Sequence, residues 1–139
     1  MEISGLDVQD KKARTTVAHF RFFKKCVRKW IKEFGLKDWH VVLLHEEWEH
    51  DEEGIKTART EGDLASRTAN VYLNKNWGTL APSNVLLDRV AYHEVVHLLL
   101  HRLAILAISR AITQETIAFE VEAVIRRFEN SHWKAVGQK

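Results

Sequence analysis

Apolar residues recur along this 139-residue chain with two different periods. From about Val8 to Phe34, Val17, Phe20, Val27, Ile31 and Phe34 fall at spacings of three, four and seven, which predicts a helix with one apolar face. Gly35 is its natural stop, because glycine readily takes the left-handed conformation that closes many helices. The period then shortens. "DWHVVLLHEEWEHDEEG" is a β-branched and aromatic run entering an acidic turn, and "IKTART" and "SRTANVYLNKNWG" read as two further strands. The last alternates Ala69, Val71 and Leu73 against Thr68, Asn70 and Tyr72. Short, turn-like links leave no room for crossover helices, so the expectation is an antiparallel sheet of about three strands. After Pro82, either Ser83 or Asn84 can cap a helix running to about Ile108. A last helix follows "SRAITQ" to about Asn130, with Ile117, Val121, Val124 and Phe128 on one stripe. An N-terminal helix, a small sheet and two helices predict an α+β fold. With no repeat, low-complexity segment or linker, one domain over residues 1–139 is expected.

Composition narrows the function classes. A hydrophobic content of 45% at this length allows a real core. The single Cys26 excludes an internal disulfide framework and suits a reducing compartment. No apolar run reaches the roughly 18 residues of a membrane span, and the N-terminus has no signal-peptide apolar segment, so a cytoplasmic protein without a membrane partner is expected. A net charge of +2 is too small to imply nucleic acid by itself. The first helix is rich in Lys and Arg and could touch phosphate, but a solvated outer face explains the same residues.

The chemistry concentrates in "VAYHEVVHLLLHRLA", residues 90–104. "HEVVH" matches HExxH. On a helix, residues four apart share a face about 6 Å apart along the axis, so His93 and His97 can converge on one Zn²⁺. Glu94 lies at a neighbouring azimuth, where it can take a proton from a water that the metal activates. With 8 His and 13 Glu in the chain, composition alone produces such a match with a probability of about 4%. The flanking Val90, Val95, Val96, Leu98, Leu99 and Leu100 predict a largely buried helix, in which a histidine pair and a glutamate are costly unless a metal satisfies them. His101 lies about 12 Å along the helix from His93, too far to share a metal without a chain turn, and reads as a surface or supporting residue.

A third ligand is expected from the last helix. Measured from the centre of its apolar stripe, Glu120 lies about 80° away, Glu122 about 120° and Glu115 about 140°, which ranks them in that order. "HEEWEH", His45 to His50, has the wrong spacing for HExxH and reads as a strand end running into an acidic turn. Tyr72, Tyr92 and His132 are open as donors for an oxyanion.

"HEVVH" with a following glutamate helix resembles the gluzincin branch of zincin metallopeptidases. The order of elements over residues 35–130 is similar to minimal SprT-like and small phage-encoded metallopeptidases. The resemblance implies zinc as cofactor, ligands at His93 and His97, and Glu94 as general base. It also implies an extended protein or peptide substrate beside the Thr68 to Asn74 strand. SprT-like members can use a histidine as third ligand, which keeps His132 as an alternative to Glu120. The expected activity is zinc-dependent peptide hydrolysis. The competing expectation is a zincin-scaffold binding module with little hydrolysis, docking nucleic acid through the basic first helix. A purely structural zinc is disfavoured because such sites use four closed ligands rich in Cys.

Overall fold

Thr16 sets where the first helix begins. Its hydroxyl accepts a hydrogen bond from the His19 amide at 3.2 Å, and its own amide donates to His19 Nδ1 at 2.9 Å, a reciprocal cap. The computed structural model describes residues 12–108 and 113–130. Helix α1 spans Val17–Glu33, starting well after Val8, which itself lies outside the described residues. The later start has a cause in residues 13–15. The Ala13 and Thr15 amides donate to the carbonyls of Gly78 and Lys75, and the Trp77 amide donates to the Ala13 carbonyl. A backbone held extended against residues 75–78 cannot also be helical.

The buried face of α1 follows the expected stripe over most of its length: Val27 and Phe34 are buried, and Phe20 and Ile31 pack against the core. Phe23 and Cys26 widen that face, and Val17, in the first turn, is the exception at 69% exposed. Gly35 closes the helix as expected, at φ 67°, with its amide donating to the Lys32 carbonyl and the Leu36 amide to that of Ile31.

The sheet contains β1 (His40–Glu46), β2 (Ala58–Asp63) and β3 (Thr68–Asn74) in the order β1-β3-β2. β2 and β3 are antiparallel, joined by the turn at 64–67, while β1 pairs parallel with β3. The expected antiparallel sheet is therefore mixed. A parallel pair needs a crossover, and here the crossover is not a helix. The 47–57 loop and β2 together perform it, carrying the chain past the place that β3 later fills. That gap is two strand spacings, about 10 Å, which eleven loop residues span easily. β2 also begins three residues later than the "IKTART" reading, at Ala58.

Asn74 ties this loop to the sheet. It is fully buried, and its amide group donates to the carbonyls of Trp48 and Lys56 while its oxygen accepts from the Trp48 and Asn76 amides. Three of its four side-chain hydrogen bonds go to the loop and the fourth to the chain just beyond β3, so Asn74 acts as a spacer cut from the side chain itself.

Helix α2 (Asn84–Ile108) is the core helix, and the Ser83 hydroxyl caps its start by accepting from the Leu86 amide. Leu87, Ala91, Val95, Leu98 and Leu99 are buried with Phe23, Val27, Val71, Leu73 and Trp77 in one hydrophobic cluster. Its mean hydropathy of 1.3 over 18 residues makes it long and apolar enough to cross a membrane, a criterion that core helices also meet. Asp88 fastens it to α1, accepting from Lys29 Nζ at 2.9 Å and Trp30 Nε1 at 2.8 Å.

Helix α3 (Gln114–Phe128) leans on the end of α1. Arg127 Nη1 donates to the Phe34 and Gly35 carbonyls, and Phe128 meets Phe34 edge-on at 5.9 Å. Only part of the expected inward stripe is used: Ile117, Val124 and Phe128 are half-buried, but Val121 is 40% exposed. The architecture is α+β, with the sheet and α1 packed on α2.

Candidate metal centre

His93 and His97 stand on the solvent side of α2, opposite the residues that fill the core, so the burial cost expected for the histidine pair falls on Glu94 alone. Their rings lie 4.9 Å apart, and Nε2 of one is 3.2 Å from Nε2 of the other. Two nitrogens bound at about 2.0–2.1 Å to a tetrahedral Zn²⁺ sit about 3.3–3.4 Å apart. The pair therefore fits two adjacent zinc positions, with both rings exposed to an incoming ion. The local cause is helical spacing, and the buried neighbours Val95 and Leu98 fix which way the helix is turned.

Glu94, one residue round from His93, is only 5% exposed. Thr60 on β2 donates its hydroxyl to Glu94 Oε1 at 2.8 Å, and the same hydroxyl is 3.4 Å from the Glu94 carbonyl. Burial pushes the Glu94 carboxyl above its usual range, outweighing the Thr60 hydrogen bond and the two histidines, which pull the other way. A carboxylate with raised proton affinity, anchored beside a histidine pair, is better suited to accept a proton than an ordinary surface glutamate. Thr60 was not identifiable from the sequence, where a Thr in a polar strand carries no mark of its partner.

The three residues open onto a cleft of about 800 Å³, walled by residues 55–60 on one side and by α2 on the other. The strand beside it is β2. The Thr68–Asn74 strand, expected to border the cleft and pair with substrate, is central, with both edges already paired. Among the described residues, β2 is the outer strand whose unpaired edge meets the cleft.

The structure does not bring Glu120 to the histidines. Glu120 is buried and inward-facing, but its Oε1 is 2.6 Å from Arg102 Nε. Arg102 is nine residues beyond His93, half a turn round α2, so α3 packs on the side away from the pair. The azimuth on α3 identifies which glutamate faces inward, and says nothing of which face of α2 it meets. Glu122 is 3.6 Å from Arg126 and Glu115 is exposed, and neither lines the cleft. His132 lies outside the described residues. Among the described residues no group of three or more His, Cys, Asp or Glu is gathered for a metal.

Comparison with protein-family models, curated proteins and solved structures found no match.

The remaining marked residues have other partners. His101 stacks edge-on against Trp39 at 5.7 Å and lies under Gly62, in a supporting position between α2 and β2. In "HEEWEH", His45 bonds Thr15 and stacks on Phe20, His50 Nδ1 accepts from the Lys56 amide, and Glu47 pairs with Arg14. These side chains are dispersed among separate partners. Of the oxyanion candidates, Tyr92 lines the cleft, whereas the Tyr72 hydroxyl donates to Glu61 away from it.

Proposed function

We propose that the protein is a zinc-dependent peptide hydrolase in which His93 and His97 hold the metal and Glu94 is the general base. A zinc ion there would supply a Lewis acid that brings the ionisation of water toward neutral pH. Glu94 takes a proton from the attacking water at its carboxylate and returns it to the leaving amine. Thr60 holds that carboxylate in one orientation. The open edge of β2 offers unpaired backbone groups to an extended peptide, which would lie along the cleft as an added strand.

The observation that carries this reading is the 3.2 Å convergence of the two Nε2 atoms beside a buried, singly anchored glutamate. Glu120 as third donor would have to exchange Arg102 for the metal. Zinc titration of Glu120→Gln, Glu122→Gln, Glu115→Gln and His132→Ala decides among the four, the true ligand showing the largest loss of affinity.

The test of function pairs metal content with turnover. Wild type should carry one zinc per chain, and His93→Ala and His97→Ala should carry none. Glu94→Gln should keep zinc and fold but lose peptide hydrolysis by at least about 10²-fold. Full activity in Glu94→Gln, or no zinc after incubation with it, would sink the proposal.

A further inference from the structure

We propose that Arg89 selects the substrate, by binding a peptide carboxylate in the cleft about one helical turn from the histidine pair. This rests on the peptide-hydrolase reading and adds the substrate's chemistry to it. Arg89 precedes His93 by four residues, so it shares the face of α2 that carries His93 and His97 and lies about 6 Å toward the helix start. It lines the same cleft and is exposed.

The charges around that cleft are unevenly matched. Its lining carries the cations Lys56, Arg59 and Arg89, and Glu94 is its carboxylate. Lys56 is neutralised by Glu53 at 3.3 Å and Asp51 at 3.7 Å. Arg59 lies over the rings of Trp48 at 4.9 Å and Tyr72 at 4.4 Å, with Glu61 at 3.7 Å. Arg89 has no ion pair or hydrogen bond among the described residues. Glu94 cannot answer it, being five residues on, about 140° round the helix, and turned toward Thr60. Asp88, its chain neighbour, faces α1 and accepts from Lys29 and Trp30.

An unpaired guanidinium in a cleft matches a carboxylate, which it can grip with two parallel hydrogen bonds. An extended peptide advances about 3.3 Å per residue, so 6 Å along α2 corresponds to roughly two residues from the bond presented to the histidines. The carboxylate is then either an Asp or Glu side chain at that distance or the peptide's own C-terminus. Leu86 and Val90 flank Arg89 on the cleft floor, which favours an apolar neighbour beside the acid.

The experiment measures binding rather than turnover. The full-length Glu94→Gln protein, incubated with zinc, is titrated calorimetrically with short apolar peptides capped at both ends. Each carries Glu or Gln at one scanned position, and a second set has free C-termini. At low ionic strength one Glu peptide should bind about fivefold more tightly than its Gln twin, a preference that added salt weakens. Adding Arg89→Gln should abolish the preference without changing the melting temperature, and Arg89→Glu should transfer it to Lys peptides. A preference confined to free C-termini assigns the carboxylate to the chain end. Equal binding of every Glu and Gln pair in both sets, a preference that survives Arg89→Gln, or no peptide binding at all would overturn the proposal. Hydrolysis by wild type separates the two readings. An Arg89-dependent preference without hydrolysis removes the enzyme and keeps the carboxylate site, whereas hydrolysis with no charge preference removes this site alone.

Discussion

Asp88 illustrates how much one side chain can decide. Burial alone would raise its pKa, but the hydrogen bonds from Lys29 and Trp30 and the Lys29 charge outweigh it and hold the carboxyl below its usual range. A group whose folded pKa is depressed contributes stability above its unfolded pKa, near 3.9, and that stability is lost as pH falls through the folded value. Asp88→Asn should therefore melt at a lower temperature than wild type at pH 7, with the gap narrowing as the pH falls from about 5 to 2. Parallel melts followed by circular dichroism at several pH values check this, and a constant gap would refute it. Thr60 is the corresponding residue at the candidate site. Thr60→Val should leave zinc content intact but reduce turnover about tenfold, since Glu94 loses the donor that orients it. A wild-type rate would show that burial alone positions the carboxylate. The contrast between Glu94 and Thr60 also marks what could be read from the chain. His93, Glu94 and His97 lie within five residues and follow from helical spacing. Thr60 meets Glu94 across 34 residues, and no local pattern encodes that contact.

Among the elements, the helices announce themselves and the sheet does not. Gly35, Ser83 and the apolar period mark helix ends because capping is local chemistry. Strand direction is not local. The 47–57 link looks like a hairpin loop, and only Asn74, bonded to the Trp48 and Lys56 backbone, reveals that it bridges a gap for β3. The placement of α3 was unreadable for a related reason: Glu120 has the inward azimuth, yet Arg102 rather than the histidine pair receives it. Asn74→Ala removes four hydrogen bonds and leaves the buried Asn76 amide and the part-buried Trp48 and Lys56 backbone groups unpaired, so it should cost about 3 kcal/mol. Chemical denaturation measures the loss. A change under 1 kcal/mol would mean that water replaces the side chain.

For the whole molecule, metal binding and stability are linked. Zinc at about a hundred times its dissociation constant should add about 2.7 kcal/mol of stability, and a chelator should remove it. His97→Ala should melt at the same temperature with and without zinc. A zinc-dependent shift in that variant would place the binding elsewhere in the chain. The strand order has a separate consequence, for the birth of the molecule. Among the described residues, β3 is the last strand to be made and the one neighbour that β1 and β2 have in the sheet. As the chain leaves the ribosome, the first two strands find no mate in each other, and the sheet cannot begin to pair until β3 starts to emerge at Thr68. At 5–20 residues per second, the stretch from Glu46 to Thr68 takes roughly 1–4 s to appear. For that interval β1 is an unmated nascent strand, open to chaperones and to the wrong neighbour alike.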